Sequence, residues 1–409
     1  MASMSTLILR HATVGDTVVD VAITDGAITD VGHDLAADDA TAGAVDGVDV
    51  VDLTGYVLAP AAVEPHTHLD KAFLANVVPN PSGDLGGAIA AMREAYERFD
   101  VTDTARRAVA AITMFARNGA TTIRTHVDVT EAGGLEPLRA VLEARDACRA
   151  VADVEIVALC GFPVLGPLGV DQRALLGEAM DMGADLVGGC PHLEHEATEH
   201  GRRAVTEMLV GIAAERGVGL DLHTDETLDP EMLCLLDLVD AVANGFSGPV
   251  TASHCVSLSV QEHRRQREIA DAVAGAGIGI VALPQTNLYL QGRSASQAVP
   301  RAITPIAILL QAGVAVAAGQ DNVQDPFNPI GRADPLETAS LLVAAAHVSP
   351  DVAYELVSDG GRQVLGRGRV AVEPGSPADL VAVRASSMRE AIAMAPGDRR
   401  VFRHGIELD

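Results

Sequence analysis

The middle of this chain alternates two hydrophobic patterns. Stretches with helical amphipathic spacing separate short, near-continuous apolar runs that end in polar or metal-binding residue types. That alternation predicts repeated βα units around a parallel sheet buried on both faces. The first run, Gly55 through Val63, shows no clear alternation and reads as one buried strand leading to His66. Further strands are expected to end at His126 after residues 121–125, near Cys160 after 154–157, and at Gly189 after 185–187. The remaining ones end at His223 after 220–222, at His254 after 250–253, at Leu283 after 278–281, and at Asp321 after 314–317. Eight such runs are the number that a closed barrel of βα units requires.

The two chain ends carry a different pattern. Residues 6–10, 18–24 and 27–31 read as short strands, with a turn at Asp25-Gly26. Residues 34–46, rich in Ala, Asp and Gly, read as an exposed, mobile loop. After the middle region the same style returns in 368–372, a turn over Pro374-Gly375-Ser376-Pro377, and 378–383. The expected architecture is an α/β (β/α)8 TIM barrel over residues 61–364, with a small β-sandwich domain built from both ends, 1–60 and 365–409.

Composition and length extend this picture. A chain of 409 residues suits one large domain and one small one. Its formal charge of -27 would repel a phosphate backbone, which disfavours nucleic acid and favours a small-molecule substrate. No apolar run approaches the ~20 residues of a membrane span, and Met1-Ala2-Ser3-Met4 opens no signal peptide, so a soluble, cytoplasmic protein is expected. A homo-oligomer is also expected. Five scattered cysteines without a C-x-x-C pair argue against a disulfide framework or a thiolate metal site and suit packing. Lysine occurs once, at position 71. The acidic excess is explained either by coding bias toward Arg or by adaptation to a salty cytoplasm, and the dense Asp of the first fifty residues favours the second.

The candidate chemistry starts at His66-Thr67-His68-Leu69-Asp70-Lys71. Alternate strand residues share a face, so His66 and His68 can hold one ion. In a barrel of this type residues at strand carboxyl ends converge on one mouth, and His66, His68, His223, His254 and Asp321 all occupy such positions. Imidazole nitrogen and carboxylate oxygen suit one divalent ion, zinc or iron, with a position left for water. Lys71 directly follows the first metal strand and cannot serve as a bridging lysine from a middle strand, so one metal is expected, with Cys190 a lesser bridging candidate.

His223-Thr224-Asp225-Glu226 supplies a ligand and a carboxyl, Glu226, either a proton shuttle or a helix N-terminal residue. His254 would hydrogen-bond the reacting water or a developing oxyanion. Asp321 would act as ligand and as proton acceptor. Asn322 and Phe327 are candidate contacts to the substrate ring, joined by Phe162 and by His192 near the mouth. Lys71 either meets a carbonyl or anionic edge of the substrate or packs its loop. His195 and His200, near His192, read as a solvated helix face, His126 as either a supporting or a packing residue, and 287–293 as either pocket lining or surface loop.

The segments Pro65 to Lys71, Arg124 to Val129, His223 to Glu226, Thr251 to His254, Asn287 to Arg293 and Asp321 to Pro326 resemble the amidohydrolase superfamily, and within it the cytosine deaminase branch. Residues 183–192 and 290–293 look especially like cytosine deaminase. His68-Leu69-Asp70-Lys71 and Asp321-Asn322 look closer to the N-isopropylammelide isopropylaminohydrolases of triazine breakdown. The resemblance implies a single iron or zinc held by His66, His68, His223 and Asp321, Glu226 as proton shuttle, and His254 beside the water. It implies hydrolytic deamination of a free heterocycle such as cytosine, a related pyrimidine, a pterin or an s-triazine. Two departures touch substrate reading: residues 159–164 offer no glutamine after the third strand, and Asn322 stands where a second aspartate is usual. Cyclic amide hydrolysis and a catalytically inactive binding protein are the alternative readings.

Overall fold

A computed structural model describes residues 6–35, 48–194 and 199–408, with the backbone alone at 199 and 200. Five strands open the chain: β1 (Thr6–Val14), β2 (Thr17–Thr24), β3 (Ala27–Gly32), β4 (Val48–Asp52) and β5 (Tyr56–Pro60). The barrel strands follow as β6 (Ala62–Thr67), β7 (Ala120–Val129), β8 (Asp153–Cys160), β9 (Leu186–Gly189), β10 (Leu220–Thr224), β11 (Val250–His254), β12 (Gly279–Ala282) and β13 (Val316–Ala318). Three more close the chain: β14 (Leu380–Arg384), β15 (Arg399–Arg403) and β16 (Ile406–Glu407).

Strands β6 to β13 pair in parallel in chain order. The ring is completed just past their ends, where Thr67 and Asp321 form a parallel bridge and the Asp321 amide donates to the His66 carbonyl at 3.0 Å. Alternation along the strands divides apolar from polar residues. In β7, Ile123, Val127 and Val129 join the apolar core, while Arg124, His126 and Asp128 take the other face. In β10, Leu220 and Leu222 join the core and Asp221 and His223 alternate with them. This barrel interior therefore carries a buried polar network where branched apolar side chains usually dominate.

The chain ends build a separate eight-stranded sheet around its own core of Leu9, Val21, Ile23, Leu58, Leu380 and Phe402. β1 joins its layers, pairing with β4 over Thr6–Arg10 and with β5 at Thr13, across a register shift beside His11, whose φ is 56°. Asp25 and Gly26 both have positive φ, as the expected tight turn requires. Two helices over the barrel matter below: α1 (Leu85–Ala95) and α2 (Val101–Arg117). α2 starts at Asp100, whose side chain accepts from the Asp103 amide at 2.8 Å, and buries Ala108, Ala111, Ile112 and Phe115. It stops before Gly119, whose φ of 99° disfavours a side chain and where a Cβ would lie 3.0 Å from Val381 of β14.

Four expectations about elements need correction. The apolar run from Gly55 is two strands in two sheets, β5 and β6, broken at Ala61; apolarity alone does not mark where the pairing partner changes. β7 runs three residues beyond His126 because its ladder with β8 continues to Val129. Residues 368–372 form no strand: the Val370 and Ala371 amides donate to Asp359 and Ser376 side chains instead of to a neighbouring strand. Residues 287–293 begin inside a short helix, Pro284–Leu290. The expected loop at 34–46 lies, from residue 36 on, outside the described residues. No described helix is long and apolar enough to cross a membrane.

Arg399 of β15 ties the end sheet to the barrel. Both its terminal nitrogens meet the Asp334 carboxylate at 2.8 Å, and one also meets the Asn118 carbonyl at 2.9 Å. The pair is nearly out of water, with side-chain exposures of 3% and 9%. Arg399→Ala is expected to cost about 3–5 kcal/mol in urea unfolding, because it strands a buried carboxylate. A loss below about 1 kcal/mol, typical of exposed pairs, would contradict that placement.

Candidate metal centre and active-site cavity

Two strand ends, those of β6 and β10, deliver three donors, His66, His68 and His223, and the loop after β13 delivers the fourth, Asp321. His68 Nε2 and His223 Nε2 stand 3.2 Å apart, and Asp321 Oδ1 lies 3.3 Å from His68 Nε2 and 3.6 Å from His66 Nε2. Ligands about 2.0–2.1 Å from a tetrahedral ion sit about 3.3–3.4 Å from one another, so these separations fit one cation. His66 Nε2 and Asp321 Oδ1 are buried with no hydrogen-bond partner. Burial, reinforced by neighbouring imidazoles, pushes His66 and His223 far below the usual histidine range; burial and then Lys71 do the same to His68. Neutral imidazole is the ligating form.

The other ring nitrogens are fixed. His68 Nδ1 donates to the His126 carbonyl at 3.0 Å, which leaves its Nε2 lone pair facing inward. His66 Nδ1 meets Ser253 Oγ at 2.8 Å, and that hydroxyl donates to Asp221 Oδ1 at 3.0 Å. Arg124 Nη1 holds Asp221 Oδ2 at 2.9 Å. Burial would raise the Asp221 carboxyl, but His126 and Arg124 hold it below its ordinary value. The His126 ring stacks on His66, with centroids 3.9 Å apart at 27°. His126, expected as either support or packing, is thus both. His66, His126 and Asp221 also lie close enough to share an ion, yet the guanidinium on Asp221 opposes a second cation there.

A cavity of about 520 Å³ opens from this floor, lined by His68, His223, Glu226, His254 and Asp321 among others. Glu226 lies in the loop after β10, and it is Asp225 that caps the next helix, Cys234–Ala243, by accepting from the Cys234 and Leu235 amides. Burial, then the charge of Asp321, raises Glu226 well above its ordinary value, which favours its protonated form; its Oε1 has no hydrogen-bond partner. Glu226 Oε1 is 3.6 Å from His254 Nδ1. His254 donates Nδ1–H to Asn287 Oδ1 at 3.0 Å, so its Nε2, 3.9 Å from Asp321 Oδ2, is left as an acceptor. An acceptor suits a water O–H rather than an oxyanion.

Lys71, Phe162, Asn322 and Phe327 line the same cavity. Lys71 is buried, donating to Asp128 Oδ1 at 2.5 Å with Asp70 Oδ2 at 3.6 Å, and its ammonium lies 5.9 Å from the Phe327 ring centre. Tyr96 donates to the other Asp128 oxygen. The Asn322 amide is spent on Asp325 at 2.7 Å, and its carbonyl accepts from Thr286 at 3.3 Å. His192 does not line the cavity: it is buried behind His223, with Nδ1 3.2 Å from that residue's carbonyl. His195 and the side chain of His200 lie outside the described residues. All five cysteines are free, and Cys160 and Cys190 reach the cavity wall.

Several lining residues escaped the sequence reading. Gln172, from the helix Val170–Met182, presents an amide beside Gly161, where the loop itself offers no glutamine. Arg93 and Tyr96 come from α1 and the turn after it. Only Asp128 carried a signal, two residues beyond His126 on the same strand face.

Two outcomes follow. Ser253→Ala should weaken metal binding about 10–100-fold in chelator competition while far-ultraviolet dichroism stays unchanged; unaltered affinity would remove Ser253 from the support of His66. Burial raises Asp325 from 3.8 to about 7. Its protonated form therefore favours the fold, with that stability full below about pH 3.8 and lost as pH rises through about 7. Asp325→Asn should destabilise less at pH 8 than at pH 5 in urea unfolding; the reverse trend would contradict the raised carboxyl.

The amidohydrolase family profile matches residues 100–402. A pterin deaminase of Rhizobium rhizogenes is 34% identical over 400 residues, covering 95% of this chain and 87% of the relative. The crystal structure of 5-methylcytosine deaminase from Klebsiella pneumoniae, liganded with 5-fluorocytosine, superposes with a TM-score of 0.85 at 28% identity over 99% of this chain and 97% of that one. N-isopropylammelide isopropylaminohydrolase from Burkholderia multivorans gives 0.82 at 30% identity over 99% and 98%. With a profile match over most of its length and the metal-donor set at the mouth of its barrel, the chain belongs to the amidohydrolase family.

Proposed function

We propose that this chain is a metal-dependent hydrolytic deaminase of a free amino-substituted heterocycle, and that a pterin-type ring is its first substrate class. The observation that carries the reading is Glu226: a buried carboxyl at the cavity floor, 3.6 Å from His254 and beside the imidazole donors, where burial favours its protonated form. The pterin deaminase at 34% identity supports the ring class. His66, His68, His223 and Asp321 are the proposed ligands of one zinc or iron ion. The ion would lower the pKa of water enough to supply a nucleophile at neutral pH.

The side chains account for the proton steps. Asp321 accepts the proton that the nucleophile loses, and His254 Nε2 orients the remaining O–H. Glu226 donates to the ring nitrogen next to the amino-bearing carbon, which makes that carbon electrophilic. Water thus adds across the C=N bond; the amino group then takes the proton held by Asp321 and leaves as ammonia, while the added hydroxyl returns its proton to Glu226 and an oxo ring remains. Lys71 and Asp128 offer a donor and an acceptor to the substrate edge, with Phe162 and Phe327 against its faces. Small-molecule specificity, a cytoplasmic location and self-assembly belong to the same reading, in keeping with the -27 charge.

Glu226→Gln should lower kcat for ammonia release from 2-amino-4-oxopteridine by about 100-fold or more, with metal content retained. Full turnover by the metal-loaded variant on a substrate of the wild type would overturn the assignment.

A further inference from the structure

The cavity has two poles. Its floor holds the metal-donor residues and Glu226; its rim holds Arg93, an exposed residue of α1. The Arg93 guanidinium lies 5.6 Å over the Phe162 ring, and both side chains line the cavity. Among the described residues Arg93 has no carboxylate within 4.0 Å, and Glu131, which also lines the rim, is beyond that distance. Arg124, Arg203 and Arg399, by contrast, carry carboxylate partners. Lys71, the other cation on the wall, is already neutralised by Asp128 and Asp70. Between the poles the wall is apolar, with Leu85, Ile89 and Met92 from α1. The volume, about 520 Å³, falls where drug-sized ligands of about 300–1,000 Å³ bind, which is more than one six-membered ring fills.

We propose that the substrate heterocycle bears a carboxylate on the side remote from its amino-substituted carbon, and that Arg93 pairs with it at the rim. This rests on the deaminase reading above. A ring whose amino carbon meets Glu226 at the floor directs its far substituent along the apolar wall to α1. A guanidinium held flat on an aromatic face presents parallel N–H groups that match a carboxylate, and a single cation suits that charge better than a phosphate ester. The unpaired charge also gives an otherwise acidic protein a local attraction for an anionic substrate.

The test compares 2-amino-4-oxopteridine 6-carboxylate, its neutral 6-hydroxymethyl analogue and the 6-phosphooxymethyl ester in the metal-loaded full chain. The wild type should prefer the carboxylate over the neutral analogue by about tenfold or more in kcat/KM, mostly through KM. The preference should shrink with added salt. Arg93→Gln should abolish it and Arg93→Lys should retain part of it. Equal rates on the carboxylate and neutral compounds, or an unchanged ratio in Arg93→Gln, would overturn the proposal, as would a stronger preference for the phosphate ester. If no pteridine is turned over, the ring assignment fails separately. Arg93 is then read from fluorescence titration of the 2,4-dioxo products: tighter binding of the carboxylate by wild type but not by Arg93→Gln supports it, and equal binding overturns it.

Discussion

Histidines 66, 68, 126, 223 and 254 and the carboxyls of Asp321 and Glu226 lie out of water at one end of the barrel. Burial disfavours the charged forms of the His66, His68, His223 and His254 imidazoles and of the two carboxyls, and hydrogen bonds alone leave several nitrogens and oxygens facing one another unsatisfied. A cation among the Nε2 atoms and Asp321 removes that conflict. The polar barrel interior is arranged around this need: Ser253, Asp221 and Arg124 pass the second nitrogen of His66 outward to a fixed charge. The His126 carbonyl performs the same service for His68.

The closure of the barrel serves the same centre. Asp321 is not on a strand; it hangs from the loop after β13 and is placed by backbone contacts to His66 and Thr67. Its φ of 70° is a conformation that non-glycine residues adopt at some cost, sustained here by these bonds. Glu64 underlies the junction, accepting from the His66 and Gln320 amides beneath the ligand strand. First and last strands are thus joined by the residues that hold the donors in place.

The barrel and the clustering of His66, His68, His223 and Asp321 were legible because strand geometry ties both to local pattern. His66 and His68 share a face by alternation, and His223, His254 and Asp321 follow apolar runs that only a parallel sheet explains. What failed locally were boundaries: apolar Gly55 to Val63 gives no sign that Ala61 passes from one sheet to another, and His126 looked like a strand end because it is polar. The rim was not legible. Arg93, Tyr96 and Gln172 reach the cavity from helices whose docking is set by tertiary packing, and no spacing rule links them to His66. His192 failed in the opposite sense: its motif sits beside a strand end, but its ring turns behind His223.

The most direct test of this account is metal stoichiometry, measured by elemental analysis of the full chain purified without chelator. Donor separations that fit one ion, a lone lysine committed to Asp128, and a guanidinium occupying Asp221 all predict one divalent ion per chain. Two ions per chain, or none in protein exposed to zinc and iron during growth, would contradict it.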